Sequence, residues 1–157
     1  MNEKELCTAC LELMATADVV CLSTVQADGY PRTRAMLNLR NRTQYPGHVH
    51  LYGGHDDDFM VYIATNTSSR KRVEIQKDPR VGLYYCRPPD FFGMSLVGDV
   101  EIIDDPAIKQ AVWAEGWERY FPTTGRPDDP DYTLLRLFPS NARGWTGSET
   151  FELAFDR

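Results

Sequence analysis

The sequence lacks any long apolar run. No stretch approaches the roughly 20 consecutive apolar residues that a membrane-spanning helix requires. The opening segment, MNEKELCTACLELM, carries acidic residues inside its apolar stretch, which a secretory signal peptide does not. We therefore expect a cytoplasmic protein with no membrane partner.

Positive charge and cysteine are also scarce. Lysine and arginine total 17 against 23 aspartates and glutamates, the formal net charge is -6, and no long basic block offsets it. Such a chain repels polyphosphate backbones, so we expect no nucleic-acid partner. The four cysteines do not follow the spacing of small disulfide scaffolds, so we expect reduced thiols and no disulfide.

Two groups of residues have types that can bind a metal ion. Cys7 and Cys10 are spaced like a ligand pair, but a zinc site needs about four ligands and no second pair stands at a matching spacing. At helical spacing such thiols more often serve as small hydrophobes. His48 and His50 would lie on one side of a strand, and His55 precedes three aspartates. The simpler interpretation is a solvated acidic loop, so we predict no metal site.

The order of apolar and turn-forming segments indicates hairpin-linked strands within one domain, residues 1–157. Asp28-Gly29, for example, is typical of a tight hairpin turn. Six or so strands joined mostly by hairpins favour an antiparallel barrel over a parallel sheet with crossover helices. The predicted helices cover 2–16, 69–77 and a segment beginning at 104; the predicted strands cover 19–25, 30–39, 49–52, 59–64, 81–86, 94–103, 132–138 and 151–155.

Residues 63–71 carry the clearest chemical signal. They end a strand, turn, and open a helix with hydroxyls and the two cations Arg70 and Lys71 at its start. Free backbone N–H groups at a helix N-terminus favour phosphate, and a guanidinium can bind it bidentately. Cations in the first turn cost a helix roughly 0.3–1 kcal/mol each unless an anion is bound there. The alternative is an ordinary capped helix with both side chains in solvent.

Short motifs follow one another along nearly the whole chain. They are Leu22-Ser23-Thr24, residues 28–32, Ala64-Thr65-Asn66, Ser69-Arg70-Lys71, residues 78–81, Gly98 with Glu101-Ile102, residues 113–122 and residues 128–132. Through them the sequence resembles the pyridoxamine-phosphate-oxidase-like FMN-binding split-barrel superfamily, and most closely its general-stress-protein branch. The resemblance implies a mainly β fold: a six-stranded antiparallel split β-barrel of Greek-key topology, with short flanking helices, that binds FMN at a homodimer interface.

The same resemblance implies a cofactor-binding set. Arg34 matches an arginine that the family uses for the FMN phosphate, and Ser69, Arg70 and Lys71 match its phosphate-binding motif. Backbone groups of one strand contact the flavin ring, the end of a second strand contacts the cofactor, and an aromatic residue lies near the flavin from the partner subunit. The ring contacts correspond to Ala35, Met36 and Leu37, the strand-end contact to Ala64 and Thr65, and the aromatic residue to Trp145.

The chain departs from the true oxidases at their substrate residues. Those enzymes carry an arginine, one spacer and a histidine downstream of the aromatic residue, where this chain has Phe151-Glu152-Leu153. A glutamine that touches the flavin corresponds to Gly93 here. Oxidation of pyridoxine phosphate is therefore not the expected reaction.

The leading hypothesis is an FMN-dependent oxidoreductase that uses a small-molecule electron donor or acceptor. The flavin would carry the hydride or electron transfer, and no acid–base dyad in the sequence identifies a catalytic residue. One alternative is a non-catalytic flavin-binding or flavin-storage protein of the stress response. Another is a binder of a related phosphorylated cofactor, such as a deazaflavin or pyridoxal phosphate.

Overall fold

The computed structural model describes residues 1–156, which form three α-helices and nine strands. The helices are α1 (Glu3–Thr16), α2 (Arg70–Lys77) and α3 (Pro106–Val112). The strands are β1 (Val19–Val25), β2 (Pro31–Leu37), β3 (Val61–Asn66), β4 (Arg80–Arg87), β5 (Phe92–Asp99), β6 (Glu101–Ile103), β7 (Tyr132–Leu137), β8 (Asn141–Thr146) and β9 (Glu149–Ala154). Short 3-10 helices cover Pro46–Tyr52, Pro88–Asp90 and Trp117–Arg119.

The strands form two antiparallel sheets. The larger sheet has the order β2-β1-β4-β5-β8-β9, and the smaller one has the order β3-β7-β6. β2 and β3 are therefore edge strands of different sheets, and they contact each other. This arrangement confirms the predicted mainly β, antiparallel split-barrel fold.

Two segments differ from their predicted structure. Residues 49–52 belong to a 3-10 helix rather than a strand, because Pro46 favours a helical first turn and His48 and Tyr52 both turn inward. β8 was not predicted, since its inward residues are the small Ala142 and Gly144 rather than the branched residues that mark a strand. The prediction for 94–103 covers two strands, β5 and β6, which lie in different sheets.

The larger sheet buries one face only. Buried and partly exposed residues alternate along β1 and β4, as in an antiparallel strand with one solvent-facing side. α1 packs on the buried face with Leu13 and Met14, and its first turn is fixed by a reciprocal capping box between Asn2 and Glu5. Cys10 lies on the same stripe, and burial raises the pKa of its thiol to about 12, so it acts as a small hydrophobe.

An aromatic cluster fills the space between the smaller sheet and α3. Trp117 is 2% exposed and meets Trp113 and Tyr132 edge-on, with ring centroids 5.8 and 6.0 Å apart. Phe121 joins the cluster, and Ala64 of β3 packs against it. Because these rings support β3 from behind, they fix the position of the smaller sheet's free edge.

Within residues 1–156, the cysteines, the possible metal ligands and the helices each show one simple feature. All four cysteines are free. No group of three or more histidine, cysteine, aspartate or glutamate side chains is arranged to hold a metal ion. None of the helices combines the length and apolar character needed to cross a membrane.

His48 is expected to make folding stability depend on pH. Its ring is 5% exposed, stacks on Tyr45, and has no hydrogen-bond partner for Nδ1 within the described residues. Burial lowers the pKa of His48, so below about pH 6.5 the unfolded imidazole gains a proton that the folded one does not. The free energy of unfolding should therefore fall on acidification through this interval.

Urea denaturation at about pH 7.5 and about pH 5.5 should show a smaller fall in the free energy of unfolding for His48→Gln than for the wild type. The exposed His50 supplies a control. If His50→Gln reduced the fall in the free energy of unfolding as much as His48→Gln does, the assignment to His48 would be contradicted.

Candidate functional site

A cleft of about 300 Å³ opens where the two sheets separate. One wall is the edge strand β2 and the other is the end of β3, with the start of α2 and the Tyr120-Phe121 segment closing the ends. The lining residues are Val19, Ala35, Met36, Leu37, Ala64, Thr65, Asn66, Lys71, Tyr120 and Phe121.

The cleft offers hydrogen-bonding groups in an otherwise apolar wall. β2 pairs only with β1 within the described chain, so the backbone groups on its other side are free for a ligand. The hydroxyl of Thr65 is buried and finds no hydrogen-bond partner among residues 1–156. Met36, Leu37 and Phe121 supply apolar surface. This combination suits a flat ring system with polar atoms along one edge.

The first turn of α2 leaves its backbone N–H groups without a side-chain cap. Ser69 stands at the N-cap position, but its hydroxyl donates to the Asn66 carbonyl at 2.7 Å instead of accepting from the helix. Arg70, Lys71 and Arg72 follow, with no acidic residue among them. Nε and Nη1 of Arg72 are buried without a hydrogen-bond partner in the described chain. Uncapped N–H groups and three successive cations make this helix start attractive to an anion.

Asp131 holds the turn that precedes α2. Its carboxylate accepts from the Ser68 backbone N–H at 2.8 Å and from the Asn66 side-chain amide at 2.8 Å. Burial works against ionisation of this carboxyl, but these hydrogen bonds outweigh it and lower the pKa of Asp131. The ionised Asp131 thus ties the end of β3 to the loop before β7 and fixes where α2 begins.

Arg34 lies on β2 beside this helix start and is already engaged by the protein. Its Nη1 donates to the Thr24 hydroxyl at 2.7 Å and to the Arg32 carbonyl at 3.0 Å. Its Nη2 lies 3.3 Å from Oε2 of Glu74 on α2. The Thr24 hydroxyl donates to the same carboxylate oxygen at 2.5 Å. These contacts join β1, β2 and α2 into one polar cluster.

Lys71 reaches the cleft from the same corner. Burial and the neighbouring Arg34 guanidinium lower the pKa of Lys71, while the Glu74 carboxylate opposes that shift. Lys71 therefore stands where two cations face a single carboxylate, and an added anion would favour its charged form.

The structure gathers most of the predicted site residues and separates a few. Lys71 lines the cleft together with Ala35, Met36, Leu37, Ala64 and Thr65, and Arg34 adjoins it on β2, close enough to act on the charge of Lys71. Arg70 is exposed and lines a neighbouring groove of about 590 Å³, formed by the β1–β2 turn and the outer side of α2. The Ser69 hydroxyl is used within its own turn.

Tyr120 lines the cleft and Glu74 contacts Arg34 beside it, and neither was predicted as part of the site. Glu74 stands three residues after Lys71 on one helix, and this spacing marks two side chains as neighbours. Tyr120 follows the 3-10 helix Trp117–Arg119 and reaches the cleft from a distant part of the chain, which no local pattern reveals.

Sequence comparison identifies the family. The family profile described as pyridoxamine 5'-phosphate oxidase matches residues 7–146. The chain belongs to the pyridoxamine 5'-phosphate oxidase family. A search of curated proteins found no match.

Several solved structures resemble the chain over nearly its full length. A protein from Clostridium acetobutylicum related to general stress protein 26 is 27% identical with a TM-score of 0.77, over 98% of this chain and 96% of that one. General stress protein 26 from Bacillus anthracis is 23% identical with a TM-score of 0.69, over 95% and 99%. A pyridoxamine 5'-phosphate oxidase-related, FMN-binding protein from Nostoc punctiforme is 16% identical with a TM-score of 0.58, over 100% and 99%. The predicted superfamily and its general-stress-protein branch are confirmed.

Trp145 lies apart from the cleft of its own chain. It is 42% exposed on β8, and its ring centroid is 6.1 Å from that of Tyr84 on β4. A Cβ atom at Gly93 would lie 2.7 Å from the Trp145 ring and 2.5 Å from the Tyr84 hydroxyl. The absence of a side chain at Gly93 is what lets these two aromatic residues meet.

Proposed function

We propose that this protein binds FMN in the cleft between β2 and β3. The observation that carries the proposal is the junction of an apolar cleft, edged by free backbone groups, with the uncapped, cationic start of α2. FMN has the matching two parts, a flat ring with polar edge atoms and a phosphate dianion. The FMN-binding relative from Nostoc punctiforme supports this assignment through its shared fold.

The residues of the chain fit this cofactor group by group. The free edge of β2 and the unpartnered Thr65 hydroxyl would hydrogen-bond the ring edge, and Met36 and Phe121 would cover apolar ring surface. Lys71 and the first backbone N–H groups of α2 would hold the phosphate, because charge-assisted hydrogen bonds to phosphate are the strong ones. Bound FMN would supply the redox chemistry, and the chain would bind and orient it.

We propose an FMN-dependent oxidoreductase with a small-molecule electron donor or acceptor. Lys71 and Tyr120 are the titratable residues that line the cleft, and neither forms an acid–base dyad with a second titratable group there. A reaction carried mainly by the flavin matches such a site. Positions 151–153 lack the arginine and histidine expected of the true oxidases, and Gly93 stands where their glutamine is expected. Both differences argue against the pyridoxine phosphate oxidase reaction.

The visible spectrum of the purified protein tests the proposal first. A flavin spectrum, acquired on purification or on adding FMN to colourless protein, is the expected result. A deazaflavin or haem spectrum, or no binding at high FMN concentration, would overturn it.

Anaerobic addition of NADH or NADPH to the FMN-loaded protein then tests catalysis. Bleaching supports an oxidoreductase, whereas no bleaching with either donor favours flavin storage.

We further propose a homodimer with the cofactor at its interface. The outward face of the larger sheet is poor in charge near its centre, where Cys21, Tyr84 and Ser95 follow one another across β1, β4 and β5. Trp145 extends this face on β8, so a partner packed on it could bring its tryptophan towards the cleft. This placement would account for the distance between Trp145 and the cleft of its own chain.

Ser95→Arg is expected to convert the dimer to a monomer and to weaken FMN binding. Ser95 stands at the centre of the outward face, opposite Tyr84 on one side and Arg143 on the other, so a second cation there is repelled and excluded from an apolar interface. Analytical ultracentrifugation and FMN titration measure both effects. Ser148→Arg, in the exposed β8–β9 turn, is the matched control and should remain dimeric. A wild-type monomer that retains tight flavin would contradict the interface.

A further inference from the structure

We propose that Glu74 acts as an internal counter-anion that competes with the ligand's phosphate for Arg34 and so sets the selectivity of the site for phosphorylated ligands. The inference rests on the proposed FMN function and assigns a specificity role to a residue of the same site. Its basis is the polar cluster of Thr24, Arg34 and Glu74.

Glu74 already supplies a negative charge to Arg34 and Lys71. Its carboxylate lies 3.3 Å from Nη2 of Arg34, and it also influences the charge of Lys71. The side chains of Arg34 and Glu74 are 22% and 12% exposed, so their attraction is only partly screened by water. The two cations at this corner of the cleft are therefore partly neutralised by the protein itself.

A phosphate bound by Arg34 and Lys71 would lie close to the Glu74 carboxylate. Like charges at such a distance repel, and the guanidinium can satisfy both only by dividing its N–H donors between them. Thr24 hydrogen-bonds to both Arg34 and Glu74, so it holds the competing carboxylate in place. The wild-type chain would then bind phosphorylated ligands less tightly than its cations alone would allow, whereas an unphosphorylated ring would be indifferent to Glu74.

The test compares FMN, riboflavin and inorganic phosphate as probes of the wild type and Glu74→Gln. The glutamine keeps the size of the side chain and one acceptor oxygen but removes the charge. We expect FMN to bind about tenfold more tightly to Glu74→Gln, with riboflavin affinity unchanged, since tenfold is the order expected for relieving one close like-charge contact. Asp28→Asn is the matched control, because Asp28 lines the same groove as Glu74 without contacting Arg34, so its loss of charge should change the FMN-to-riboflavin ratio little.

Two contrary results would overturn the inference. Weaker or equal FMN binding by a folded Glu74→Gln variant would show that Glu74 supports Arg34 in binding rather than competing with the ligand. An equal gain for riboflavin would show a change in the cleft rather than in the anion site. If Glu74→Gln fails to fold, Glu74→Asp is the second variant. It retains the charge, but its side chain is one methylene group shorter, so the carboxylate lies farther from Arg34. This variant should bind FMN more tightly than the wild type, and weaker or equal binding would count against the inference.

Inorganic phosphate separates this inference from the proposed function. If neither flavin binds any variant, the FMN proposal fails. The role of Glu74 is then measured by the rise in melting temperature that phosphate causes. A larger rise in Glu74→Gln than in the wild type and Asp28→Asn supports competition at the anion site, and an equal or smaller rise overturns it.

Discussion

Replacing Arg70 and Lys71 together with alanine is expected to weaken FMN binding at least a hundredfold. Each charge-assisted contact to a phosphate is worth about 1.5–3 kcal/mol, so two lost contacts correspond to roughly 3–6 kcal/mol. Lys71 should supply the larger share, because it lies in the cleft and is partly shielded from water, whereas Arg70 is exposed at the neighbouring groove. Fluorescence titration of the apo-protein with FMN measures the loss.

Two controls separate a phosphate effect from general damage. Riboflavin has the same ring and no phosphate, so its affinity should change little in the double variant. Lys77→Ala removes a cation from the last turn of the same helix and should leave FMN affinity near the wild-type value. An unchanged FMN affinity in the double variant would contradict the phosphate site at α2.

Trp117→Ala is expected to cost about 3–5 kcal/mol of folding free energy, the range found for truncation of large buried aromatic residues. Trp117 is 2% exposed and contacts Trp113, Phe121 and Tyr132 through its ring. For a chain of this size the loss corresponds to a fall in melting temperature of about 6–20 °C. Urea denaturation and calorimetry measure it. Flavin affinity should also fall, since Phe121 and Ala64 line the cleft and pack in the same cluster.

Trp145→Ala provides the matched tryptophan control. Its side chain is 42% exposed, so its removal should change the stability of the chain far less than that of Trp117. Equal losses from the two truncations would contradict the burial difference. If the partner's tryptophan reaches the flavin, Trp145→Ala should instead alter FMN affinity or the flavin absorbance in the dimer.

The secondary structure around the candidate site follows from local sequence and was predicted correctly. The strand-to-helix transition at residues 63–71 carries its own signals: apolar strand residues, turn-forming hydroxyls and cations at a helix start. These interactions are all between near neighbours in the chain, so the pattern alone places β3, the turn and α2 within a residue or two of their observed bounds.

The parts that depend on distant contacts were not predictable from pattern. Arg34 and Glu74 are 40 residues apart in sequence and meet because β1 pairs with β2 on one side while α2 packs against β1. β8 was overlooked because the close approach of β5 requires a glycine at position 144, where a Cβ would clash with the Gly93 carbonyl. A glycine that is required because a neighbouring strand packs closely does not produce the alternating apolar pattern by which a strand is recognised.

The gap between β2 and β3 also affects the stability of the whole molecule. Within residues 1–156 no backbone ladder joins these two edges, so at this place the sheets are held by side-chain packing. A ligand that contacts both edges binds only the folded chain and stabilises it by mass action, in proportion to the logarithm of its free concentration once that exceeds the dissociation constant. The melting temperature of this protein would thus rise with the free concentration of its cofactor, and cofactor-free molecules would unfold at a lower temperature than cofactor-bound ones.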